Sequence, residues 1–579
     1  MSTYKLCLLL SQIKSMKFFF LFVLTTSLTF SQTQISKDYF RLPLEIPMQL
    51  AGNFGELRPN HFHAGFDFKT NQREGLNIYA VADGYVSRIK ISNVGYGKAI
   101  YITHNNGTTS VYGHLQKSVG SIQDRIIQNQ YLEKSYEIEV YLKPDDLNVK
   151  KGDIIGISGN TGGSEGPHLH FEIRDNKTEK TLNPLRFGLD LKDTKSPQVS
   201  NLMVYPIELN SVVNESKRPI SLNLSLQKDG TYLAEKVEAS GKIGFGIIAS
   251  DFDDVSFNAN GIYKAELTGN GKSLFKFELA DLVFDEARFV NAYIDYGKYK
   301  KSHQRVQKLF MKNTLGLSNL STNSENGLID VAPNFNQTEE INVSDFNGNK
   351  ITISIPITYC EKPAVISEEP KTSNYLVKAK SDAIFEKDNW SVSMPANTFY
   401  DDFYLHFNVA KDILFLHDDS IPAHSNFTIS VVNKEEPLES ERKKMFIASI
   451  YNGKKNYINT FYKENTFYCK TRTLGQFIVS KDTIAPKISI SKSIQDKEIG
   501  EQKEIRLKIS DDFSGIKAFN GYINEKWVLF EYESKLKRII HVLNKENLVN
   551  GKNTLKLIVT DNVGNSSVFE TQFNNTLSK

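Results

Sequence analysis

Short apolar runs alternate with polar residues along most of this chain after Gly52. The runs are rich in Val, Ile, Tyr and Thr, and Gly, Asn and Asp residues interrupt them at short intervals. Alternation with a period of two is typical of strands, whereas a helix needs apolar residues at every third or fourth position. Because no long segment shows the helical period, the pattern predicts a mainly β protein.

Three consecutive strands are predicted between Gly84 and Leu115. Their sequences are GYVSRIKI, KAIYITH and TTSVYGHL. The connections NVGYG and NNG carry the Gly and Asn residues that turns with positive φ require. We therefore expect three sequential strands joined by tight turns.

An internal repeat divides the rest of the chain. DTKSP from Asp193 and DTIAP from Asp482 share a spacing, and each precedes a strand pattern and then an acidic turn, SDFDD or SDDFSG. NAYIDYGKYKKS near Asn291 and LKLIVTDNVGNSS near Leu555 are interpreted as a third matching pair. Pro stops strand pairing, so both pentapeptides are predicted to be linkers.

The repeat predicts modules of a β-sandwich, immunoglobulin-like type, because short strands recur with Asp, Asn and Gly turns. The acidic turns offer oxygen ligands for calcium, but a full ligand loop is not evident, so solvated acids are expected there. The predicted segments are a signal peptide at 1–31, a β domain at 35–192, an immunoglobulin-like module at 196–362, a β-rich module at 363–481 and a C-terminal immunoglobulin-like module at 482–579.

The N-terminus has the layout of a signal peptide. From Met16 it has one Lys, an apolar run from Phe18 to Leu24, and then mostly small polar residues, with Thr29 and Ser31 suitable for cleavage. A membrane anchor is the alternative, but the run is shorter than the ~20 residues of a span. We predict export to a periplasm, cell envelope or the exterior, with no stable membrane span after cleavage.

Net charge limits the classes of binding partner to expect, and the cysteine content limits the possible disulfides. Lys and Arg total 70 and Asp and Glu total 67, so the net charge of +3 gives no reason to expect nucleic acid. The mature chain would keep two cysteines, Cys360 and Cys469. They lie far apart and in different predicted modules, so a disulfide between them is not favoured.

Two of the 11 histidines, His168 and His170, are separated by a single residue in GNTGGSEGPHLHFEIR. On a strand, His168 and His170 share one face while the apolar residues between and after them face a core. Neutral imidazole is a favoured zinc ligand, and a packed strand holds it in place. A surface strand with two ordinary histidines is the alternative.

A second cluster in RPNHFHAGFDFKT strengthens the metal hypothesis. His63 lies four residues before Asp67, and Gly65 is expected to let the chain turn so that both converge on one ion. One alternative is a turn in which Asp67 caps the backbone and His63 is incidental. His61 leaves a further possibility open, because it also forms a His-x-His pair with His63. With His170, the ligands His63 and Asp67 would leave a fourth position for water, as in catalytic zinc sites.

Hydrolysis at such a site also needs proton transfer, for which histidine is suited. His114, in SVYGHLQ at a predicted strand end, and His168 are the candidates. For His114 a merely polar strand-end residue is the alternative.

The motifs HAGFD, YGHL and GNTGGSEGPHLHFEIR, in this order, resemble those of the lysostaphin/LytM-type zinc endopeptidases. The resemblance covers roughly Phe40 to Pro184. It implies an antiparallel, β-barrel-like domain with one zinc in an open groove that cleaves peptide bonds in peptidoglycan.

The resemblance also implies roles for individual residues. By position, the zinc ligands would be His63, Asp67 and His170, and the pair that activates water and stabilises the tetrahedral intermediate would be His114 and His168. The glycines of the last motif would let the backbone lie close to an extended substrate. They are Gly159, Gly162, Gly163 and Gly166.

Other features differ from the family pattern or stand outside its site. His61 is interpreted as a groove-side residue or a bystander, and His104 is expected to be structural. The connection 116–150 is longer than usual, and its run YEIEVYL predicts an added hairpin that walls or covers the groove.

The sequence therefore favours an exported zinc endopeptidase that acts on peptidoglycan bridges or cross-links, with direct cross-links preferred. A non-catalytic wall-binding or hydrolase-regulating scaffold of the same fold is the alternative. In a third hypothesis the β modules carry the main role by binding glycan or surface partners.

Overall fold

The protein is mainly β, as the alternating pattern predicts. This computed structural model describes residues 37–313, 316–367, 372–434, 437–490, 494–495, 497, 504–544 and 547–575. The predicted signal peptide, 1–31, lies outside the described residues. Within the described ranges, no helix has both the length and the apolar character that a membrane crossing demands.

The first domain consists of one large antiparallel sheet, a small three-stranded sheet and a two-stranded sheet. The order across the large sheet is Leu50–Gly52, Phe66–Lys69, His168–Asp175, Thr108–Gly113, Lys98–His104, Gly84–Ile91 and Ile138–Tyr141. The remaining strands of this domain are Leu57–Arg58, His61–Phe62, Asn77–Tyr79, Lys117–Ser118, Asn148–Val149, Ile154–Ile157 and Thr181–Leu182. The three strands predicted between Gly84 and Leu115 are confirmed and lie side by side.

The strand His168–Asp175 lies inside the large sheet and is covered on both faces. Leu169, Phe171 and Ile173 are fully buried on the core side, as predicted. The opposite face is buried as well, since Glu172 has no exposed surface. A strand fixed from both sides presents its histidines with little freedom.

The segment 116–150 does not form the predicted hairpin. It contains the helix Gly120–Glu133, followed by the strands Ile138–Tyr141 and Asn148–Val149. Both strands pair with Gly84–Ile91 rather than with each other. The run YEIEVYL therefore contains a strand, but this strand pairs with the edge of the large sheet instead of forming a hairpin. The helix before it was not predicted, because its buried stripe is too narrow to give a clear helical period in the sequence.

The second unit is a network of thirteen hydrogen-bonded strands. They are Gln198–Pro206, Val212–Val213, Ile220–Leu222, Leu224–Leu226, Tyr232–Ala234, Val237–Ser250, Lys264–Gly269, Lys272–Glu278, Gln307–Lys308, Leu320–Thr322, Ile329–Val331, Asn336–Ser344 and Lys350–Tyr359. Its helical segments are Phe284–Phe289, Val290–Tyr293 and Tyr296–Ser302. One further strand, Asp281–Leu282, pairs with Thr181–Leu182 of the first domain, and the two units share one buried apolar cluster.

The third matching pair of the sequence repeat is wrong. Residues around Asn291 are helical, whereas Leu555 lies in the strand Gly551–Asp561. The counterpart of the DNVGN turn at Asp561 is DFNGN at Asp345. In both turns the Asp side chain accepts hydrogen bonds from two backbone amides that follow it.

The last two units each have two main sheets, and the third unit has in addition a two-stranded sheet of Leu376–Val377 and Phe403–Tyr404. The third has strands Leu376–Val377, Ala383–Lys387, Trp390–Met394, Phe403–Tyr404, Phe407–Ala410, Ile413–Leu416, Phe427–Val432, Met445–Tyr451, Lys454–Tyr457, Thr460–Lys463, Thr466–Thr471 and Gly475–Lys481, with the helix Glu439–Arg442. The fourth has strands Lys487–Ile490, Glu504–Ser510, Ile516–Ile523, Lys526–Val528, Glu531–Glu533, Arg538–Val542, Gly551–Asp561 and Ser566–Asn575, with the short helix Ser534–Leu536. Each pair of sheets encloses its own apolar core, which is the sandwich arrangement. Cys360 and Cys469 are free thiols.

The fourth unit packs back onto the first domain. Lys98 Nζ lies 2.6 Å from Glu531 Oε2, and Lys535 Nζ lies 2.8 Å from Asn160 Oδ1. Asn160 belongs to the loop that leads into the strand His168–Asp175. The C-terminal unit therefore contacts the loop that precedes the paired histidines.

Candidate metal centre

The register of the large sheet brings His170 beside Asp67. His170 lies opposite Asp67 on one neighbouring strand and opposite Gly113 on the other. Paired residues of antiparallel strands point to the same face, and His168, two positions earlier, shares that face. Two strands therefore present an imidazole pair and a carboxylate side by side.

His63 reaches the same point from the segment before Phe66–Lys69. The chain bends at Gly65, and His63 and Asp67 converge as expected, but Gly65 is not among the glycines with positive φ. Gly is needed there for a different reason. A Cβ at position 65 would lie 2.1 Å from the backbone oxygen of Phe171, so only Gly permits this close approach.

Three donor atoms converge within the span of one ion. His63 Nε2 lies 3.0 Å from Asp67 Oδ1 and 3.1 Å from His170 Nδ1, and the last two atoms are 3.0 Å apart. Ligand atoms on a tetrahedral zinc at about 2.1 Å would lie about 3.4 Å from each other. The three residues, which are 4–7% exposed, therefore have a spacing close to that of a single zinc ion.

The outer partners of the two imidazoles determine which nitrogens face the centre. His63 Nδ1 lies 2.7 Å from the backbone oxygen of Asn53, and His170 Nε2 lies 2.8 Å from Glu172 Oε1. Both partners are acceptors, so in the neutral rings these two nitrogens carry the protons. The inward nitrogens therefore present lone pairs to each other and to the carboxylate of Asp67, an arrangement that a cation satisfies.

The electrostatics favour positive charge at the same point. Burial lowers the pKa of His170, but hydrogen bonds with Asp67 and Glu172 outweigh burial and raise this pKa to about 9. Burial raises the pKa of Glu172, but Arg174 and His170 reverse this effect and lower it to about 2. Glu172 is therefore charged, and the residues present fit a divalent metal.

Arg58 holds the second oxygen of Asp67. Its Nη2 lies 3.2 Å from Asp67 Oδ2, which leaves Oδ1 for the centre. The roles of Arg58, Asn53 and Glu172 were not predicted from the sequence. Only Glu172 gave a signal, since it shares a strand face with His170, whereas the other contacts arise from the folding of separate segments.

His114 and His168 flank the three donors. His114 Nδ1 lies 2.8 Å from the backbone oxygen of Thr161, and His168 Nδ1 lies 2.8 Å from that of Gly166. In the neutral rings Nε2 is therefore the unprotonated nitrogen, and that of His168 lies 3.3 Å from Asp67 Oδ1. The structure brings all five predicted residues together.

His114 has an unusual backbone. Its φ of 59° is in the left-handed region, which costs a residue with a Cβ roughly 1–3 kcal/mol. Its amide donates to the backbone oxygen of Tyr96 at 2.8 Å, and its ring centroid lies 4.7 Å from that of His168. Burial, with the neighbouring His170 and His168, lowers the pKa of His114 to about 3.

His61 and His104 do not join the cluster. His61 is exposed, and its Nδ1 lies 2.9 Å from the backbone oxygen of Pro59. His104 is buried between the backbone oxygen of Asp83 and Ser110 Oγ. Burial lowers the pKa of His104 to about 4, which agrees with the structural role expected from the sequence.

The glycines before His168 shape their own loop. A Cβ on Gly159 would lie 2.3 Å from the backbone nitrogen of Gln116, and a Cβ on Gly162 would lie 2.3 Å from that of Gly97. The expectation that these two glycines make room for substrate is wrong, because the protein's own backbone occupies that space. For Gly163 and Gly166 it stays a prediction.

Comparison with known proteins identifies the first domain. Residues 61–139 and 135–184 match the model of Peptidase family M23, and residues 374–482 match that of the Zu5-like domain. The N-terminal part of the chain is therefore an M23 peptidase domain of the LytM/lysostaphin type.

Curated relatives match about a quarter of this chain. An uncharacterized metalloprotease of Haemophilus influenzae is 32% identical over 164 residues, which are 27% of this chain and 28% of the relative. The peptidoglycan DD-endopeptidase ShyC of Vibrio cholerae is 28% identical over 152 residues, 25% of this chain and 29% of the relative. The catalytic domain of the antimicrobial peptidase lysostaphin from Staphylococcus simulans is 27% identical, covers 25% of this chain and 93% of that domain, and gives a TM-score of 0.19. This chain thus spans less than a third of the length of the Haemophilus influenzae and Vibrio cholerae relatives.

We expect that His170→Ala abolishes stoichiometric zinc binding, because it removes one of three donors. His61→Ala is the matched control, since His61 is exposed and contacts none of the donors. Zinc content of the purified proteins, measured by inductively coupled plasma mass spectrometry, checks this. Equal zinc in both variants would contradict the ligand assignment.

Glu172→Gln tests the outer partner of His170. The amide removes the charge that fixes the His170 tautomer, and loss of such a partner typically weakens metal affinity 10–100-fold. We expect a shift of this size in competition with a zinc-binding dye. An unchanged affinity would mean that Glu172 supports only the fold.

Proposed function

We propose that the protein is an exported zinc metalloendopeptidase that hydrolyses peptide cross-links or bridges of peptidoglycan. The observation that carries the proposal is the convergence of His63 Nε2, Asp67 Oδ1 and His170 Nδ1, with two further imidazoles beside them. Three protein donors leave a fourth tetrahedral position for water or substrate, as in catalytic zinc sites.

His63, Asp67 and His170 would hold the zinc. Zinc bound there would polarise the scissile carbonyl and lower the pKa of its water to about 7. Asn53 and Glu172 keep the inward nitrogens of the two imidazoles free for this role.

His114 and His168 would transfer protons during the reaction. Each ring donates its Nδ1 proton to a backbone oxygen, so each Nε2 is free to accept a proton from the attacking water. The same atom, once protonated, would donate to the developing oxyanion or to the leaving amine. This division of roles rests on the family resemblance together with the fixed tautomers.

Peptidoglycan is the proposed substrate because the motif order resembles that of wall endopeptidases and because ShyC is named a peptidoglycan DD-endopeptidase. We propose direct cross-links rather than bridges. The apolar N-terminal segment supports export, and the close balance of charges gives no reason to expect nucleic acid.

The β units would assist the peptidase domain rather than act separately. On one side of the centre, Asn258 of the second unit accepts a hydrogen bond from Lys69, which lies opposite His168 in the sheet. On the other side, Lys535 contacts Asn160. We propose the unit boundaries 35–192, 196–362, 363–481 and 482–579, and binding of wall or surface partners by the last three.

A non-catalytic wall-binding or hydrolase-regulating scaffold is the alternative function. The five histidine and aspartate positions argue for catalysis, since all of them hold competent residue types in one cluster. We therefore expect the zinc-loaded protein to release peptides from purified peptidoglycan, with new termini identified by mass spectrometry. His114→Ala and His168→Ala should keep the zinc and lose about 10²–10⁴-fold in rate.

His61→Ala serves as the control and should digest the wall at the rate of the unmodified protein. If the zinc-loaded protein releases no peptide, the scaffold function is favoured. If either histidine variant cleaves at the full rate, its proton-transfer role is wrong.

A further inference from the structure

Three aspartates meet where the first domain joins the second unit. One side-chain oxygen each from Asp193, Asp251 and Asp345 lies within 4.8 Å of the others. Asp193 belongs to the linker, while Asp251 and Asp345 follow two strands of the second unit. In the described ranges of the chain, no Lys or Arg forms a salt bridge with any of them.

Two buried oxygens at this junction lack a donor within the described residues. Asp251 is 7% exposed and Asn260 is 5% exposed, and Oδ1 of each has no hydrogen-bond partner. Asn260 Nδ2 donates to Asp253 Oδ2 at 3.2 Å, which leaves the amide oxygen as the free atom. Each unsatisfied buried polar group costs roughly 1–3 kcal/mol, so a ligand at this point would stabilise the junction.

These oxygens line one cavity of about 40 Å³. Asp193, Asp251, Asp345 and Asn260 all contribute to its wall, and the wall contains neither Cys nor His. A cavity of this size accommodates an ion with a water or two. Oxygen-only ligands favour calcium over zinc, since zinc sites in proteins include nitrogen or sulfur ligands beside any carboxylate.

The carboxylates also destabilise each other. Burial, with the charges of Asp193 and Asp345, raises the pKa of Asp251 to about 7. Burial and the neighbouring Asp345 likewise raise the pKa of Asp193 to about 6. The acids of this SDFDD turn are therefore not the solvated group that the sequence predicted, since Asp251 and Asp253 are both buried.

We propose that Asp193, Asp251 and Asp345 bind one calcium ion, with Asn260 Oδ1 as a further ligand. Calcium takes six to eight oxygens in flexible geometry, and three carboxylates with one amide leave the remaining positions to water. Calcium binding at this point does not require the proposed peptidase activity.

The calcium site is connected to the metal centre by a short chain of contacts. Gly261, next to Asn260, accepts a hydrogen bond from Asn53 Nδ2 at 2.7 Å and donates to Asn53 Oδ1 at 2.9 Å. The backbone oxygen of Asn53 in turn fixes the tautomer of His63. Calcium would thus hold the loop that positions Asn53 and, through it, His63.

The second copy of the repeat shows that the fold builds this arrangement twice. The matching aspartates are Asp482, Asp511 and Asp561. In both copies an Asn, either Asn349 or Asn565, bonds to the last aspartate and to the backbone oxygen of the first. The middle residue differs, because Asp511 accepts hydrogen bonds from two backbone amides. The proposal is therefore confined to the first copy.

Calcium titration of the full chain tests the proposal. The protein is passed over a chelating resin, given one equivalent of zinc and titrated with calcium chloride by isothermal calorimetry. We expect Asp251→Asn to bind one equivalent fewer than the unmodified protein. Asp388→Asn removes the same charge from an exposed hairpin turn and should bind as the unmodified protein does.

Thermal unfolding supplies the second readout. Calcium should raise the melting temperature of the unmodified protein and of Asp388→Asn, but raise that of Asp251→Asn less. Without calcium, Asp251→Asn should melt no lower than the unmodified protein, because the change removes repulsion. If it does melt lower, Asp193→Asn at the half-buried linker position replaces it in both measurements.

Equal calcium stoichiometry in Asp251→Asn, or in the replacement variant, and the unmodified protein would overturn the proposal. An equal response to magnesium chloride would overturn the assignment to calcium, since magnesium demands a stricter octahedral geometry. Neither outcome bears on zinc content or wall digestion, which are measured separately.

Discussion

The structure of the site depends on one electrostatic constraint, which is that three acceptor atoms lie about 3 Å from each other in a buried place. His63 Nε2, His170 Nδ1 and Asp67 Oδ1 face each other because Asn53 and Glu172 take the outward protons of the two rings. Without positive charge, their lone pairs repel and their burial is costly. A metal ion relieves both effects, so the fold and the proposed chemistry share a cause.

The surroundings of the centre extend beyond the peptidase domain. Asn53, which fixes the tautomer of His63, is itself held by Gly261 of the second unit. The fourth unit contacts the loop before His168 through Lys535. Since the first two units also share one apolar core, the second unit is packed against the peptidase domain rather than appended to it.

Local pattern was enough to predict the mainly β fold, the strand carrying His168 and His170, and the face that each side chain takes. It was not enough for contacts between distant segments. The helix Gly120–Glu133 has a narrow apolar stripe in a polar context, so its period is weak. Arg58 gave no sequence signal, because folding alone brings it to Asp67. The repeat of the two linkers and acidic turns is present, but the segment near Asn291 was wrongly matched to the strand near Leu555. Short segments that mix polar and apolar residues fit either a helix or a strand.

Anomalous diffraction from crystals of the zinc-loaded protein, recorded on both sides of the zinc absorption edge, tests the shared metal site most directly. We expect one strong peak at about 2.0–2.2 Å from His63 Nε2, Asp67 Oδ1 and His170 Nδ1. Ordered crystals in which these side chains are clear but the zinc peak lies elsewhere would contradict a zinc site at this cluster.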